Sequence, residues 1–287
     1  MAVCAKAAIA WSADNAASMG AALAYYTLFS VAPILIIAMA IAGSVFGPQV
    51  AATQVLSQLS SLLGPSGAAA VRDLILSAHY SDKKGFAAAA AVVTVVIGAT
   101  SVFGELEYAL ERIWKTPVVA HKRRWWSLIR GRVFSLGMVV GVGFLLLVSL
   151  LASAALSAFS EWLGVFLSPL HFLLGLLDFI LSFGMTIVLF ALIFKYAPRE
   201  RVAWQDVWVG GTVTAFLFTV GKSLIGIYIG SSSFSSAYGA AGSLVVLLLW
   251  IYYSAQIFLF GAEFTREFAY EYGSRTSKKR EASQTAG

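Results

Sequence analysis

The sequence contains a single cysteine, Cys4, among 287 residues. A disulfide scaffold needs paired cysteines and a CxxC zinc site needs two close together, so both are excluded. The three histidines, His79, His121 and His171, are isolated, and neither an HExxH segment nor a phosphate-cradling GxxxxGK[ST] segment occurs. No acid–base or metal-ligand set is spaced for chemistry. We therefore expect no metal, no cofactor and no enzymatic activity.

Charged residues are also scarce, at 12% of the chain, which is about half the share usual in a soluble domain. Hydrophobic residues make up 59% of the sequence. Four long stretches carry no charge at all, at 15–71, 85–104, 133–160 and 223–262. Charge-free apolar runs of about 18 residues or more are typical of membrane spans. Because unpaired backbone groups are costly in lipid, these spans should be helices.

The pattern predicts an all-α polytopic membrane protein built as a bundle of six transmembrane helices. The six spans cover about 19–46, 85–104, 133–158, 170–194, 207–229 and 244–265. At about 1.5 Å per residue, each is long enough for about 30 Å of hydrocarbon. Residues 19–270 form this membrane domain. We expect residues 1–18 to form an amphipathic surface helix and residues 271–287 to form a disordered cytoplasmic tail.

Lysine and arginine are distributed unevenly among the connections. With both termini on the same side, that side receives one cation before span 1, seven in loop 2–3, three in loop 4–5 and five after span 6. The other side receives the three cations of loop 1–2. Positive charge is retained in the cytoplasm, so both termini should be cytoplasmic.

Loop 1–2 should therefore lie on the outer face, and it contains leucines at helical spacing interrupted by Gly64-Pro65. This spacing predicts two short amphipathic helices in the first outer loop. A re-entrant hairpin is the alternative.

Loop 2–3 interleaves basic residues with tryptophans, which suits a cytoplasmic interface of anionic phospholipid headgroups. The same composition would also serve orientation and aromatic anchoring alone, or binding of a specific headgroup or substrate. Basic residues with aromatics can stack nucleic-acid bases, but we expect the lipid bilayer, and no nucleic acid, as the partner. The predicted contact residues are Lys122, Arg123, Arg124, Arg130, Arg132, Trp125 and Trp126.

Three charged residues, Asp178, Lys222 and Glu263, fall inside predicted spans. Charges in a span are expensive and normally face a partner or a cavity. Asp178 and Lys222 lie at matching depths below the outer surface, so we expect them to pair or to share a polar cavity. For Glu263 the alternative is an interfacial carboxylate paired with a basic loop residue. The full set of polar positions predicted to line a substrate path is Asp178, Ser182, Lys222, Gly226, Glu263, Gln256, Tyr25, Tyr26, Ser30 and Pro33.

Small residues mark one face of span 3, where Gly137, Gly141 and Ser149 share a row at i+4 spacing. Such rows let helices approach closely. This face is expected to pack another helix, either within the chain or in a homo-oligomer.

Several segments together resemble the YihY/virulence factor BrkB family. They are AALAYYTLFSVAPILI (21–36), LERIWKT (110–116), RGRVFSLGMVVGVGFLLLVSL (130–150), LIFKYAPRERVAWQDVWVGG (192–211), GKSLIGIYIG (221–230) and YGAAGSLVVLLLWIYYSAQIFLFGAEFT (238–265). The resemblance covers about residues 10–270 and implies a bacterial inner-membrane protein with six helices and no settled activity. Some family members carry an old ribonuclease BN label, which no acid–base or metal site in this sequence supports.

Two function classes remain open from the sequence. The first is transport or lipid translocation across the membrane, which charges buried at Asp178 and Lys222 favour. The alternative is a non-transporting membrane factor that organises the envelope. A ribonuclease is the least favoured class.

Overall fold

The computed structural model describes residues 2–30, 104–115, 170–198, 202–231 and 242–276, together with positions 47, 53, 57, 60, 69, 72, 101, 102 and 200. Within these residues every regular element is helical and none is a strand. Four helices have defined bounds: α1 (Ala2–Ala13), α2 (Leu170–Tyr196), α3 (Trp204–Ser231) and α4 (Gly242–Glu271). Residues 16–30 and 104–113 are helical as well. The all-α prediction is confirmed for this part of the chain.

Three of these helices are long and apolar enough to cross a membrane, over Gly175–Tyr196, Trp204–Tyr228 and Leu244–Glu271. They correspond to the predicted spans 4, 5 and 6. Helix α4 continues six residues beyond the predicted end of span 6, to Glu271. Predicted spans 2 and 3, most of span 1 and the two short helices of loop 1–2 lie outside the described residues. The six-span count and the orientation of the termini stay predictions.

Helix α3 has opposite faces of different composition. Its buried face carries small side chains, chiefly Gly210, Gly211, Thr214, Ala215 and Gly221. Its exposed face carries large apolar and aromatic side chains. This arrangement suits a membrane helix, where small residues allow close helix contact and bulky apolar residues tolerate lipid.

Helices α3 and α4 meet through a reciprocal pair of glycines and threonines. A Cβ added at Gly210 would overlap the side chain of Thr265, and a Cβ added at Gly261 would overlap the side chain of Thr214. Each threonine donates its hydroxyl hydrogen bond to the carbonyl of the glycine four residues earlier on its own helix, at 2.7 Å for Thr214 and 2.6 Å for Thr265. Residue numbers rise along α3 as they fall along α4, so the two helices are antiparallel here. The glycines leave room for the opposite threonines, and the back-bonds satisfy both hydroxyls away from water.

The chain consists of two compact units, each with its own internal contacts. The first unit comprises Met1–Lys6, Ile113–Phe216 and Gly261–Gly287, and the second comprises Ala7–Arg112 and Leu217–Phe260. In the second unit Gln256 of α4 lies against Gly20, whose added Cβ would overlap the Gln256 amide. The Gln256 Nε2 donates a hydrogen bond of 3.4 Å to the Ala17 carbonyl. The polar contacts between separate segments that are described below all belong to the first unit.

The segment predicted as a disordered tail begins with a hydrogen-bonded turn. Tyr272 and Gly273 donate backbone hydrogen bonds to the Phe268 carbonyl, and Arg275 donates one to the Ala269 carbonyl. The Ser- and Lys-rich composition predicted disorder, but the last carbonyls of α4 need donors and this turn supplies them. The remainder of the tail lies outside the described residues.

Candidate functional site

Helix α4 carries a fully buried carboxylate next to a buried guanidinium. The side chain of Glu263 is 0% exposed and that of Arg266 is 7% exposed, and Arg266 Nη1 lies 3.4 Å from Glu263 Oε2. The two residues are three apart, which puts them on one face of the helix. Arg266 Nη2 also lies 2.6 Å from Oε1 of Glu267. The ion pair stabilises two charges that are taken out of water, and hydrogen bonds to Glu267 and to the Ile113 carbonyl further satisfy the guanidinium.

Arg266 also caps the C-terminus of another helical segment. Its Nη1 donates a hydrogen bond of 2.6 Å to the carbonyl of Ile113, the last residue of helical residues 104–113. The carbonyls at a helix C-terminus lack partners within the helix, and a cation there also complements the helix dipole. Lys115, with φ of 49°, turns the chain out of the helix in a left-handed conformation. The buried arginine therefore ties α4 to the end of this segment.

A second buried carboxylate, Asp206, lies in the first turn of α3 and is 0% exposed. It accepts hydrogen bonds from the backbone N–H of Ser274 at 3.3 Å and from the Ser274 hydroxyl at 2.6 Å. A carboxylate is favoured at a helix N-terminus by the helix dipole. A Cβ at Gly273 would overlap the Asp206 carboxylate, so the close approach requires glycine at this position.

Arg275 extends these contacts to the α2–α3 turn. Its Nη2 donates a 2.8 Å hydrogen bond to Glu200 Oε2 and its Nη1 a 3.3 Å hydrogen bond to the Tyr270 hydroxyl. Its guanidinium lies over the rings of Trp114 and Tyr270, at 5.1 and 5.8 Å from their centroids. Partial burial lowers the pKa of Arg275, but the hydrogen bonds to Tyr270 and Glu200 outweigh it and leave the pKa above its ordinary value. Arg275 thus remains charged.

The N-terminal helix joins the same region through Lys6. Its Nζ lies 2.5 Å from Oε2 of Glu271, the last residue of α4. The hydrogen bond to Glu271 is the main cause that raises the pKa of Lys6 above its usual value of 10.5. The ion pair therefore favours the charged lysine.

We call this group the C-terminal clasp, meaning the contacts made by Ser274 and Arg275 with Asp206, Glu200 and Trp114. Together with Lys6 and Arg266 it brings together residues near the N-terminus, at the start of loop 2–3, in loop 4–5 and after α4. The cation count assigned all four segments to one side of the membrane. Segments that contact one another must lie on the same side of the membrane, so these contacts agree with that assignment. Which side of the membrane it is stays a prediction.

The structure describes three of the predicted path residues near the end of helical residues 16–30. Ser30 is buried and donates a 3.0 Å hydrogen bond to the Thr27 carbonyl, whereas Tyr25 and Tyr26 are exposed and their rings pack edge to face. The polar path at these residues stays a prediction. Glu263 pairs with Arg266 of its own helix.

Other predicted positions are only partly described. Ser182 is exposed in α2, and its carbonyl accepts a 2.8 Å hydrogen bond from Thr186. Lys222 is half-buried, and a Cβ at Gly226 would meet nothing within 4 Å. Asp178 lies in α2, but its side chain is outside the description, so its pairing with Lys222 stays a prediction. Also outside the described residues lie Pro33, the loop residues Lys122, Arg123, Arg124, Trp125, Trp126, Arg130 and Arg132, and the span 3 residues Gly137, Gly141 and Ser149.

Sequence reasoning missed the roles of four residues in these contacts. Trp114, Asp206, Arg266 and Arg275 were assigned to loops, to a helix end or to the tail. Two local signals could have found some of them: an acid in the first turn of a span, as at Asp206, and an acid–arginine pair three residues apart, as at Glu263 and Arg266. Within the described residues no group of three or more His, Cys, Asp or Glu side chains is placed to hold a metal ion.

The chain is similar in sequence to several known membrane proteins. The chain is 28% identical over 263 residues to a UPF0761 membrane protein of Alteromonas mediterranea, covering 88% of this chain and 82% of that protein. It is 26% identical over 257 residues to a UPF0761 membrane protein of Ralstonia nicotianae, covering 87% of this chain and 54% of that protein. A UPF0761 membrane protein of Tolumonas auensis is 32% identical over 178 residues, which are 61% of this chain and 55% of that protein. The chain thus spans about half the length of several relatives.

No solved structure matches the chain. The model of the family described as virulence factor BrkB matches residues 8–286, which is nearly the whole sequence and includes every residue of the clasp. The segments quoted above from 21–36 to 238–265 all fall inside this match. The chain is therefore a membrane protein that belongs to the virulence factor BrkB family.

Proposed function

We propose that this protein moves a polar or lipid solute across the bacterial inner membrane. The observation that carries the proposal is Glu263, a carboxylate with 0% exposure inside a candidate membrane-spanning helix. Ionisable groups in such helices are costly, and they commonly mark ion, proton or substrate pathways. Replacing a buried ion pair by apolar residues of similar volume is often neutral or stabilising. A charged pair at Glu263 and Arg266 is therefore better explained by a working role than by stability alone.

The position of Glu263 supports this role. It lies eight residues before the end of α4 at Glu271, which is about 12 Å of helix. Buried Thr214 and Thr265 continue a polar strip along the α3–α4 contact in the same unit. A proton or a polar headgroup entering from the clasp side would meet Glu263 within about two turns of helix α4.

The test uses purified protein in liposomes. Transbilayer movement of a fluorescent phospholipid is followed by dithionite quenching, and proton movement by a trapped pH-sensitive dye. We expect at least one rate to exceed that of protein-free liposomes and to fall at least tenfold in Glu263→Gln. Glu271→Gln is the matched control, because that carboxylate lies at the end of the same helix and pairs with Lys6. Folded protein that accelerates neither movement would overturn the proposal.

A non-transporting, envelope-organising role is the second candidate. It is favoured by the engagement of Arg266 and Arg275 in contacts that join separate segments, as a static framework requires. The double variant Glu263→Leu with Arg266→Met separates the two, since a framework should tolerate an apolar replacement and a transporter should not. We propose no ribonuclease or other enzymatic activity, because Glu263 and Asp206 are engaged by Arg266 and Ser274.

We also propose that both termini lie in the cytoplasm. The uneven cation count supports this orientation. Cys4 is the only cysteine in the sequence and is exposed, so it is a native probe. A membrane-impermeant maleimide should label inverted membrane vesicles and spare intact spheroplasts. Labelling of intact spheroplasts would reverse the orientation.

A further inference from the structure

An exposed row follows α3 along almost its whole length. Every fourth residue from 204 to 228 is exposed, and because four residues make slightly more than one full turn, this continuous row winds gradually around the helix. The row consists of Trp204, Trp208, Thr212, Phe216, Val220, Leu224 and Tyr228. None of its members is charged. We call this set the α3 outer row.

The α3 outer row has a polar-aromatic group at each end and an apolar centre. Trp204 and Trp208 occupy one end, Tyr228 occupies the other, and Phe216, Val220 and Leu224 lie between them. The hydroxyl of Thr212 donates a 2.8 Å hydrogen bond to the Trp208 carbonyl, so this polar side chain is satisfied by its own helix. Tryptophan and tyrosine prefer the two membrane–water interfaces.

The spacing of the two ends matches a bilayer. From residue 208 to residue 228 there are 20 residues, which at about 1.5 Å each span about 30 Å. This is the thickness of the hydrocarbon core of a typical membrane. At the tryptophan end, the Trp204 ring lies 6.1 Å from that of Tyr196 and 6.5 Å from that of Trp208, and Lys195 Nζ lies 5.4 Å from the Trp204 centroid. Aromatic rings and a cation are thus gathered at one level.

We propose that the α3 outer row is a direct lipid-contact face that fixes the depth of the protein in the bilayer. Phospholipid acyl chains cover residues 212–224, and the headgroup layers lie at Trp208 and at Tyr228. A second protein copy fits this face poorly, because helices associate in membranes through small residues. The small residues Gly210, Gly211 and Gly221 of α3 are buried and lie outside this row.

Site-directed spin labelling in liposomes tests the proposal. Single cysteines are introduced in a Cys4→Ser background at positions 208, 212, 216, 220, 224 and 228, with Tyr272→Cys, beyond the end of α4, as a shallow reference. Collision rates of the attached nitroxide with oxygen and with a water-soluble nickel chelate give its depth. The oxygen-to-nickel ratio should be highest at 216 and 220 and should fall towards 208 and 228.

Two results would overturn the assignment. Low collision rates with both reagents along 212–224 would mean that protein, from another copy or from elsewhere in this chain, covers the row. A highest ratio at 208 or 228 would place the headgroup layers elsewhere.

A second measurement avoids the cysteine substitutions. Phospholipid brominated near the headgroup should quench part of the native tryptophan fluorescence, and Trp204→Phe with Trp208→Phe should reduce that part. Both side chains are exposed, so folding should be kept, and Trp250→Phe is the buried control that should leave the quenching in place. Unchanged shallow quenching in the double variant would contradict the proposal.

Discussion

Asp206 and Ser274 are 68 residues apart in the sequence, yet the serine donates both its backbone N–H and its hydroxyl to the one buried carboxylate. The carboxylate also lies in the first turn of α3. The contact therefore joins the start of one candidate membrane helix to the segment that follows another.

Ser274→Ala should lower the free energy of unfolding by about 1 kcal/mol, since one hydrogen bond to a buried carboxylate is lost. Asp206→Ala should cost about 1–3 kcal/mol, because it removes both acceptor sites and leaves a cavity. Thermal unfolding in detergent measures both, and hydrogen exchange should rise at residues 272–276. Ser223→Ala is the matched control, as that exposed hydroxyl makes only a local 3.4 Å bond to the Thr219 carbonyl. Equal effects at Ser274 and Ser223 would contradict the clasp.

Gly210→Ala should destabilise the protein by about 1–3 kcal/mol, because the added methyl overlaps Thr265 in a tight helix contact. Adding Thr265→Ala to Gly210→Ala should recover part of the lost stability. The difference between the double variant and the sum of the two single variants measures the coupling free energy between these residues. At Gly226 a Cβ meets nothing within 4 Å. Gly226→Ala should therefore be neutral or stabilise the helix by up to about 1 kcal/mol. Unfolding temperatures of Gly210→Ala, Thr265→Ala, their double variant and Gly226→Ala test this, and additive losses at Gly210 and Thr265 would argue against the reciprocal contact.

Arg266→Met should be more harmful than the double variant Arg266→Met with Glu263→Leu. The single change leaves the buried Glu263 without its arginine, for which about 3–5 kcal/mol is typical, whereas the double change removes both charges. Yield of folded protein and unfolding temperature are the measurements. A double variant as unstable as the single one would mean that Arg266 acts mainly through its bond to the Ile113 carbonyl.

The Lys6–Glu271 pair should fail at alkaline pH. Glu271 raises the pKa of Lys6 above 10.5 in the folded protein. The stabilisation is therefore fully present below the unfolded-state pKa and is lost as pH rises through the raised folded value. The difference in unfolding temperature between the native chain and Lys6→Met should be constant near neutral pH and should vanish above the raised pKa. Lys6→Arg should keep its advantage at that pH, since arginine does not titrate there. A native-to-Met difference that persists at high pH would exclude the ion pair as its cause.

Lys115→Gly should stabilise the protein by about 1 kcal/mol. The native φ of 49° is unfavourable for a lysine and costs glycine little. The mirror test is Asn15→Ala, at a φ of 58° after α1, which should destabilise. Both are measured by thermal unfolding in detergent. A loss of stability in Lys115→Gly would mean that the lysine side chain makes a compensating contact.

The sequence by itself determined the membrane class, the helical content and the position of spans 4 to 6. These follow from apolar composition and charge-free length, which any helix in lipid must satisfy wherever its neighbours lie. The same reasoning found Glu263 as a candidate, because a charge in a span is conspicuous.

Only the tertiary structure decided which partner Glu263 has and which polar residues meet. Sequence spacing does not show which neighbours Arg266 contacts. In the structure it contacts Glu263, Glu267 and the Ile113 carbonyl together. Asp206 and Ser274 carry no local signal of each other across 68 residues. Residues 272–276 look disordered by composition, yet they are held in place because a buried carboxylate and the last carbonyls of α4 need donors that only this segment's position in space provides.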